Sequence, residues 1–166
     1  TGSNCSYFDG KDLHQKVQSL GYIIMDDCSG NVFGKELIRK YYFNKMPQHL
    51  AVEFEKEYDV TPDFIKSKLY KESNPNAYLA TFAKFLIQHK EDPFCKKIIY
   101  KGMKSFVKNY IKQFDNYQEV PVHFVGSIAF YLKDELEVTF EKYQIKLGNV
   151  LRRPIDGLIA YHVANK

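Results

Sequence analysis

An α/β fold is predicted, with strands near both ends of the chain and a helical middle. Three observations carry it. The first ten residues, TGSNCSYFDG, read as a strand that turns at Asp9-Gly10, a favoured hairpin pair. From Ser29 onward apolar residues recur every three or four positions. Then VPVHFV and Gly148–Arg152 bring β character back, with a helical stretch between them. The length of 166 residues suits one domain, or one lobe of a larger enzyme. At that size folding buries roughly 70% of the extended chain's surface.

In chain order, Gly21-Tyr22-Ile23-Ile24-Met25 is an apolar run ended by Asp26-Asp27, and reads as a strand or a buried segment. Phe33, Leu37, Ile38 and Tyr41 then share one helical face. Further helix starts are marked by proline at Thr61-Pro62, Asn74-Pro75, Asp92-Pro93 and Arg153-Pro154. The first three set a capping oxygen ahead of a residue whose missing N–H costs nothing at the first helical position. Helix 93–115 carries the stripe Phe94, Ile98, Met103, Phe106, Tyr110, Ile111 and Phe114. Val120–Val125 reads as a buried strand, followed by Gly126-Ser127 and a helix from about Ile128 to Tyr143. Gly148–Arg152 is one more strand, and a helix from Pro154 to about His162 closes the chain. With no repeat, low-complexity stretch or linker, residues 1–166 read as one unit with a helical insertion over about 31–118.

Composition excludes several classes. Apolar residues at 45% and charged residues at 27% exclude a mainly disordered chain. No apolar run approaches the roughly 18 residues of a membrane span. A formal charge of +4 is too mild to argue for nucleic acid. Cys5, Cys28 and Cys95 are odd in number, scattered and without a CxxC, which fits a reducing compartment rather than a disulfide framework or zinc site. The opening residues carry no leader pattern, and a chain taken from a longer protein is expected.

Several motifs carry chemistry. Thr1-Gly2-Ser3-Asn4 offers small residues whose backbone N–H groups and hydroxyls approach an anion, or simply the start of a strand. Gly126-Ser127 follows a predicted strand, where open α/β sheets bind ligands, and Ser127 equally caps a helix. Asp26-Asp27 offers carboxylates for hydroxyls or a hydrated cation, or a solvated turn. Lys97, Lys101, Lys104, Lys108 and Lys112 form a stripe that reads as a solvated face. The histidines, His14, His49, His89, His123 and His162, lack metal-ligand spacing, and His123 reads as a core residue. No P-loop and no nucleophile elbow is present.

The ordered series TGSNCSYFDGK, LGYIIMDDCSGNVFGKELIRKYY, NAYLATFAKFLIQHKEDP, VHFVGSIAFYLKDEL and LGNVLRRPIDGLIAYH resembles the second, C-terminal lobe of N-acetylglucosamine kinases. These group with BadF/BadG-type ATPases in the actin-like, sugar-kinase and heat-shock ATPase superfamily. The resemblance runs the whole chain. It implies a ribonuclease H-like lobe, with a mixed sheet, flanking helices and a helical insertion.

It also implies an ATP-dependent sugar kinase acting at the 6-hydroxyl of N-acetylglucosamine, with ATP and Mg²⁺ as cofactors. Thr1 and Gly2 match the second phosphate loop, Ala80 the adenine side, and Gly126 and Ser127 the adenosine motif. Ser3, Asn4, Leu20, Gly21 and Asp26 match positions at the sugar. The first phosphate loop and the catalytic aspartate of such kinases lie in a first lobe that this sequence does not contain, so residues 1–166 alone are expected to be inactive. The implied partners are the protein's own N-terminal lobe and a second copy in a homodimer, without nucleic acid or membrane, in the cytoplasm. Met25 and Cys28 depart from the family's glycines around the acidic residue, which bears on the turn geometry there. Two rivals stand beside the kinase: an ATPase that drives a conformational change, and a non-catalytic sugar-binding module.

Overall fold

The computed structural model describes residues 2–164. The chain opens with a small hairpin, β1 (Tyr7–Phe8) and β2 (Leu13–His14), paired antiparallel with Tyr7 opposite His14. Its loop has four residues rather than two. The Asp9 carboxylate accepts the Lys11 and Asp12 N–H groups at 2.8 and 2.7 Å, so the side chain templates the turn.

The run 21–25 is neither a strand nor buried. Gly21 sits at φ 82, and its carbonyl accepts the Ile24 and Met25 N–H groups at 3.3 and 2.9 Å. That closes a turn and leaves Ile23 and Ile24 more than 70% exposed, at 74% and 73%. Strand periodicity was absent from this segment; apolarity alone suggested it.

The helical middle comprises α1 (Gly30–Tyr42), α2 (Gln48–Glu57), α3 (Pro62–Tyr70), α4 (Pro75–Thr81), α5 (Ala83–Gln88) and α6 (Pro93–Asn109). Ser29 caps α1 by accepting the Val32 N–H at 3.5 Å, and Arg39 and Lys40 sit in its last turn, where cations suit the helix dipole. Each proline predicted to start a helix does so. Of the three expected side-chain caps only Asp92 forms, accepting the Phe94 N–H at 2.8 Å. Thr61 turns its hydroxyl to Asp59, and Asn74 adopts the left-handed conformation at φ 61.

The core is aromatic. Phe54 of α2 lies 5.5 Å from Phe82 and 5.1 Å from Phe85, and the Tyr58 ring lies 4.6 Å from Phe82. Helices α1 and α4 approach so closely that a Cβ on Gly34 would lie 1.8 Å from the Leu79 carbonyl oxygen. Helix α6 buries Cys95, Ile98, Ile99, Met103, Phe106 and Val107. It ends at Asn109, short of the expected 115. Tyr110, wholly buried and stacked 4.9 Å from Phe106, has its φ drawn out to −118, and the chain tightens into a 3-10 turn at Ile111–Gln113.

A βαβ unit follows. Strand β3 (Val122–Val125) runs through α7 (Ser127–Tyr131) and α8 (Lys133–Tyr143) to β4 (Leu147–Leu151), which pairs with it in parallel. The predicted single helix 128–143 breaks at Leu132, whose fully buried side chain sits on a non-helical backbone. Phe124 meets Phe140 of α8 at 5.5 Å and fixes the sheet on that helix. The chain ends in α9 (Pro154–Ala164), where Ile155, Leu158, Ile159, Tyr161 and Val163 are exposed.

The expected mixed sheet is replaced, among the described residues, by two separate two-stranded ladders, one antiparallel and one parallel. The hairpin strands have two residues each, too short to carry a ladder across to β3. The mixed α/β, helix-rich character holds. No described helix is long and apolar enough to cross a membrane.

Candidate functional site

An open cleft of about 1570 Å³ separates the N-terminal segment from β3 and α7. Gly2, Ser3 and Asn4 form one wall, Gly21 and Asp26 lie beside them, and Gly126 and Ser127 face them from the carboxyl end of β3. Ala80, at the end of α4, also reaches the cleft. Phe106, Phe124 and Phe140 line an apolar floor. Gly2 and Gly126 thus line one cleft. Leu20 does not line the cleft; it is exposed, with its N–H 3.4 Å from the Met25 sulfur. Thr1 lies outside the described residues.

The acidic corner is the most closely built part. Asp26 is only 5% exposed and sits at φ 72. Its Oδ1 accepts the Ser3 N–H and its Oδ2 accepts Asn31 Nδ2, both at 3.3 Å. A Cβ on Gly2 would lie 3.1 Å from Oδ2, so the chain passes directly over the carboxylate. The Asp26 carbonyl accepts the Ser29 N–H at 3.0 Å, and this leads into the α1 cap.

Asp27 faces the other way. Its Oδ1 accepts the Ser105 hydroxyl at 2.9 Å, its Oδ2 accepts Asn109 Nδ2 at 3.2 Å, and its carbonyl accepts the Ser3 hydroxyl at 2.8 Å. Tyr110 lies below with its hydroxyl toward the Asp26 backbone and the Ser3 side chain, closing a hydrogen bond with neither, and burial raises its pKa. Cys28 has a left-handed backbone at φ 63, a conformation that glycine adopts without strain, while Met25 does not. Burial first, then the Asp27 charge, pushes the Cys28 thiol up to about 12, and burial raises Cys5. Thiols so shifted are not thiolates near neutrality, so neither is an activated nucleophile.

Gly126 has φ 137 and ψ 161, a conformation essentially reserved for glycine. Nothing lies within 4 Å of the Cβ position there, so the backbone is open to a ligand. Its N–H donates to the Leu151 carbonyl at 2.8 Å, and its carbonyl accepts the Phe130 N–H at 3.2 Å. Ser127 is exposed and begins a helix of only five residues, so the approach here rests on open backbone rather than on a helix dipole.

The remaining candidates resolve simply. The lysines of the stripe are exposed. His14 pairs with Asp9 at 2.6 Å, His49 with Asp92 at 2.8 Å and His89 with Glu53 at 3.4 Å. His123 is exposed rather than in the core, and its Nδ1 accepts the Asn149 N–H at 3.0 Å. No group of three His, Cys, Asp or Glu residues gathers among the described residues to hold a metal ion.

Sequence reasoning passed over Asn31, Ser105, Asn109 and Tyr110. A signal existed for two of them: Ser105 and Asn109 are four apart in α6, hence on one face, and both are uncharged among lysines.

No family model matches the chain, and no curated protein does. A solved structure from Porphyromonas gingivalis, named "Putative N-acetylglucosamine Kinase", is similar at 34% identity with a TM-score of 0.90. The match covers 99% of this chain and 58% of that one. The chain thus spans little more than half the length of the protein it matches. In the order of its residues and in its fold, it resembles one lobe of a protein of the N-acetylglucosamine kinase type.

Proposed function

We propose that this chain is the second, ribonuclease H-like lobe of an ATP-dependent sugar kinase that phosphorylates N-acetylglucosamine at its 6-hydroxyl. One observation carries the reading above all: Gly2, Ser3 and Asp26 face Gly126 and Ser127 across a single cleft, in a chain 34% identical to the protein named above.

ATP supplies the transferable γ-phosphoryl group, and such transfer needs positioning and charge neutralisation more than covalent chemistry from the protein. The Gly2–Ser3 backbone offers N–H donors to phosphate oxygens. Gly126 lets the nucleoside approach the backbone closely, which its open surroundings allow. Ser127 orients the nucleoside beside it, and Ala80 borders the base. Asn4 and Asp26 hold sugar hydroxyls, with Ser3 and Gly21 alongside. Each Asp26 oxygen already accepts one protein donor and retains capacity for another. Mg²⁺ in this reading is held by phosphate oxygens and water. The proton acceptor comes from a first lobe, which also closes the cleft against water. Because that proton acceptor and half of the clamp lie outside residues 1–166, these residues alone give no turnover. The cytoplasm suits its free thiols.

The test is calorimetry on the full-length protein with N-acetylglucosamine, repeated with Asp26→Asn. Weakened sugar binding is expected, and unchanged affinity removes Asp26 from the site. A product assay separates the rivals. Sugar-dependent ADP release with a phosphosugar supports the kinase, and sugar-independent release supports an ATPase. Sugar binding without turnover supports a sensor.

A further inference from the structure

We infer that Asp27 is a positioning residue, which holds Asp26 in place through a polar strut to α6. The inference rests on the sugar-binding reading of Asp26. Asp27 is flanked by Asp26 at φ 72 and Cys28 at φ 63, two side-chain-bearing residues on left-handed backbone. Such backbone is sterically disfavoured and persists where its surroundings over-determine it.

Asp27 supplies those surroundings. Its carboxylate oxygens accept from Ser105 at 2.9 Å and Asn109 at 3.2 Å, and Asn109 also donates to Ser105 at 3.1 Å, closing a triangle. Both donors stand on one face of α6, a helix anchored by its own buried Ile99, Met103 and Phe106. The strut therefore ends on a rigid element. The Asp27 carbonyl meanwhile accepts the Ser3 hydroxyl, so one residue ties α6, the acidic corner and the N-terminal wall together. Adjacent carboxylates repel, and the hydrogen bonds to α6 draw the Asp27 carboxylate away from that of Asp26.

Calorimetry on the full-length protein tests this, with N-acetylglucosamine and ADP as separate probes on wild type, S105A/N109A and S105T. The double variant is expected to weaken sugar binding about tenfold, the scale of one charge-assisted hydrogen bond, and to leave ADP affinity unchanged. S105T keeps the hydroxyl and keeps wild-type sugar affinity. Unchanged sugar affinity in the double variant overturns the inference, as does an equal loss for both probes, which would mean general loosening. Should the wild type take no sugar, the kinase reading fails by itself. Hydrogen exchange at the Ser29 amide, bonded to the Asp26 carbonyl at 3.0 Å, then decides: faster exchange in S105A/N109A sustains the strut, and an unchanged rate overturns it.

Discussion

Two side chains near the acidic corner, Tyr110 and the partly buried Cys28, carry opposite expectations. The Tyr110 hydroxyl is wholly buried and closes no hydrogen bond among the described residues, and an unpaired buried donor costs about 1–3 kcal/mol. Tyr110→Phe keeps the ring stacked on Phe106 and removes the hydroxyl, so a higher melting temperature is expected; a lower one would mean that the hydroxyl is paired in solution. Cys28 holds φ 63 with an unbranched side chain. Cys28→Val forces a β-branched residue into that region, and a loss of about 1–2 kcal/mol by urea unfolding is expected. At this scale the sequence was partly readable. Gly126 and Asp26 stood out by residue type and neighbours. Tyr110 did not, because a tyrosine in an apolar stripe looks like its neighbours until its hydroxyl is placed. Cys28 marked a departure from glycine, yet only the backbone angle shows that the cysteine itself sits in the left-handed region.

The helices were legible where proline or spacing marked them and less so where tertiary packing intervened. Asp92-Pro93 is the clearest start, and its cap is pH-dependent. The His49 side chain, with the Phe94 N–H also contributing, holds the Asp92 carboxyl below its usual range. A carboxyl lowered in the folded state contributes stability above its unfolded pKa, and loses it as pH falls through the lower folded value. The first turn of α6 is therefore expected to hold at neutral pH and to fray only in acid, below the ordinary carboxylate range. Amide exchange at Phe94 against pH checks this, and Asp92→Ala removes the acid dependence and costs about 1 kcal/mol at neutral pH. The α1–α4 contact has no comparable mark in sequence. Gly34→Ala places a methyl against the Leu79 carbonyl, and a loss of about 1–3 kcal/mol by urea unfolding is expected. The breaks at Tyr110 and Leu132 were hidden for the same reason, since both residues are fully buried and both sequences stay periodic through them.

For the molecule as a whole, the alternation of strand, helical middle and strand was legible, while the sheet was not. Apolarity predicts a strand and leaves its ladder partner unspecified, and the hairpin and the β3–β4 pair remain separate. Exposed apolar residues lie on α9 and at Ile23 and Ile24. If a first lobe covers them, the isolated chain binds a hydrophobic dye and the full-length protein does so far less, which fluorescence titration checks. The hydrogen bonds that Ser105 and Asn109 donate to Asp27 bridge 78 and 82 positions. During synthesis the acidic corner leaves the ribosome early and waits for α6, with the intervening helices still to be made. Contacts of such separation form late, after the chain entropy of the enclosed segment has been lost. A nascent chain stalled before Ser105 would thus carry every residue of the sugar wall and lack the brace that sets it.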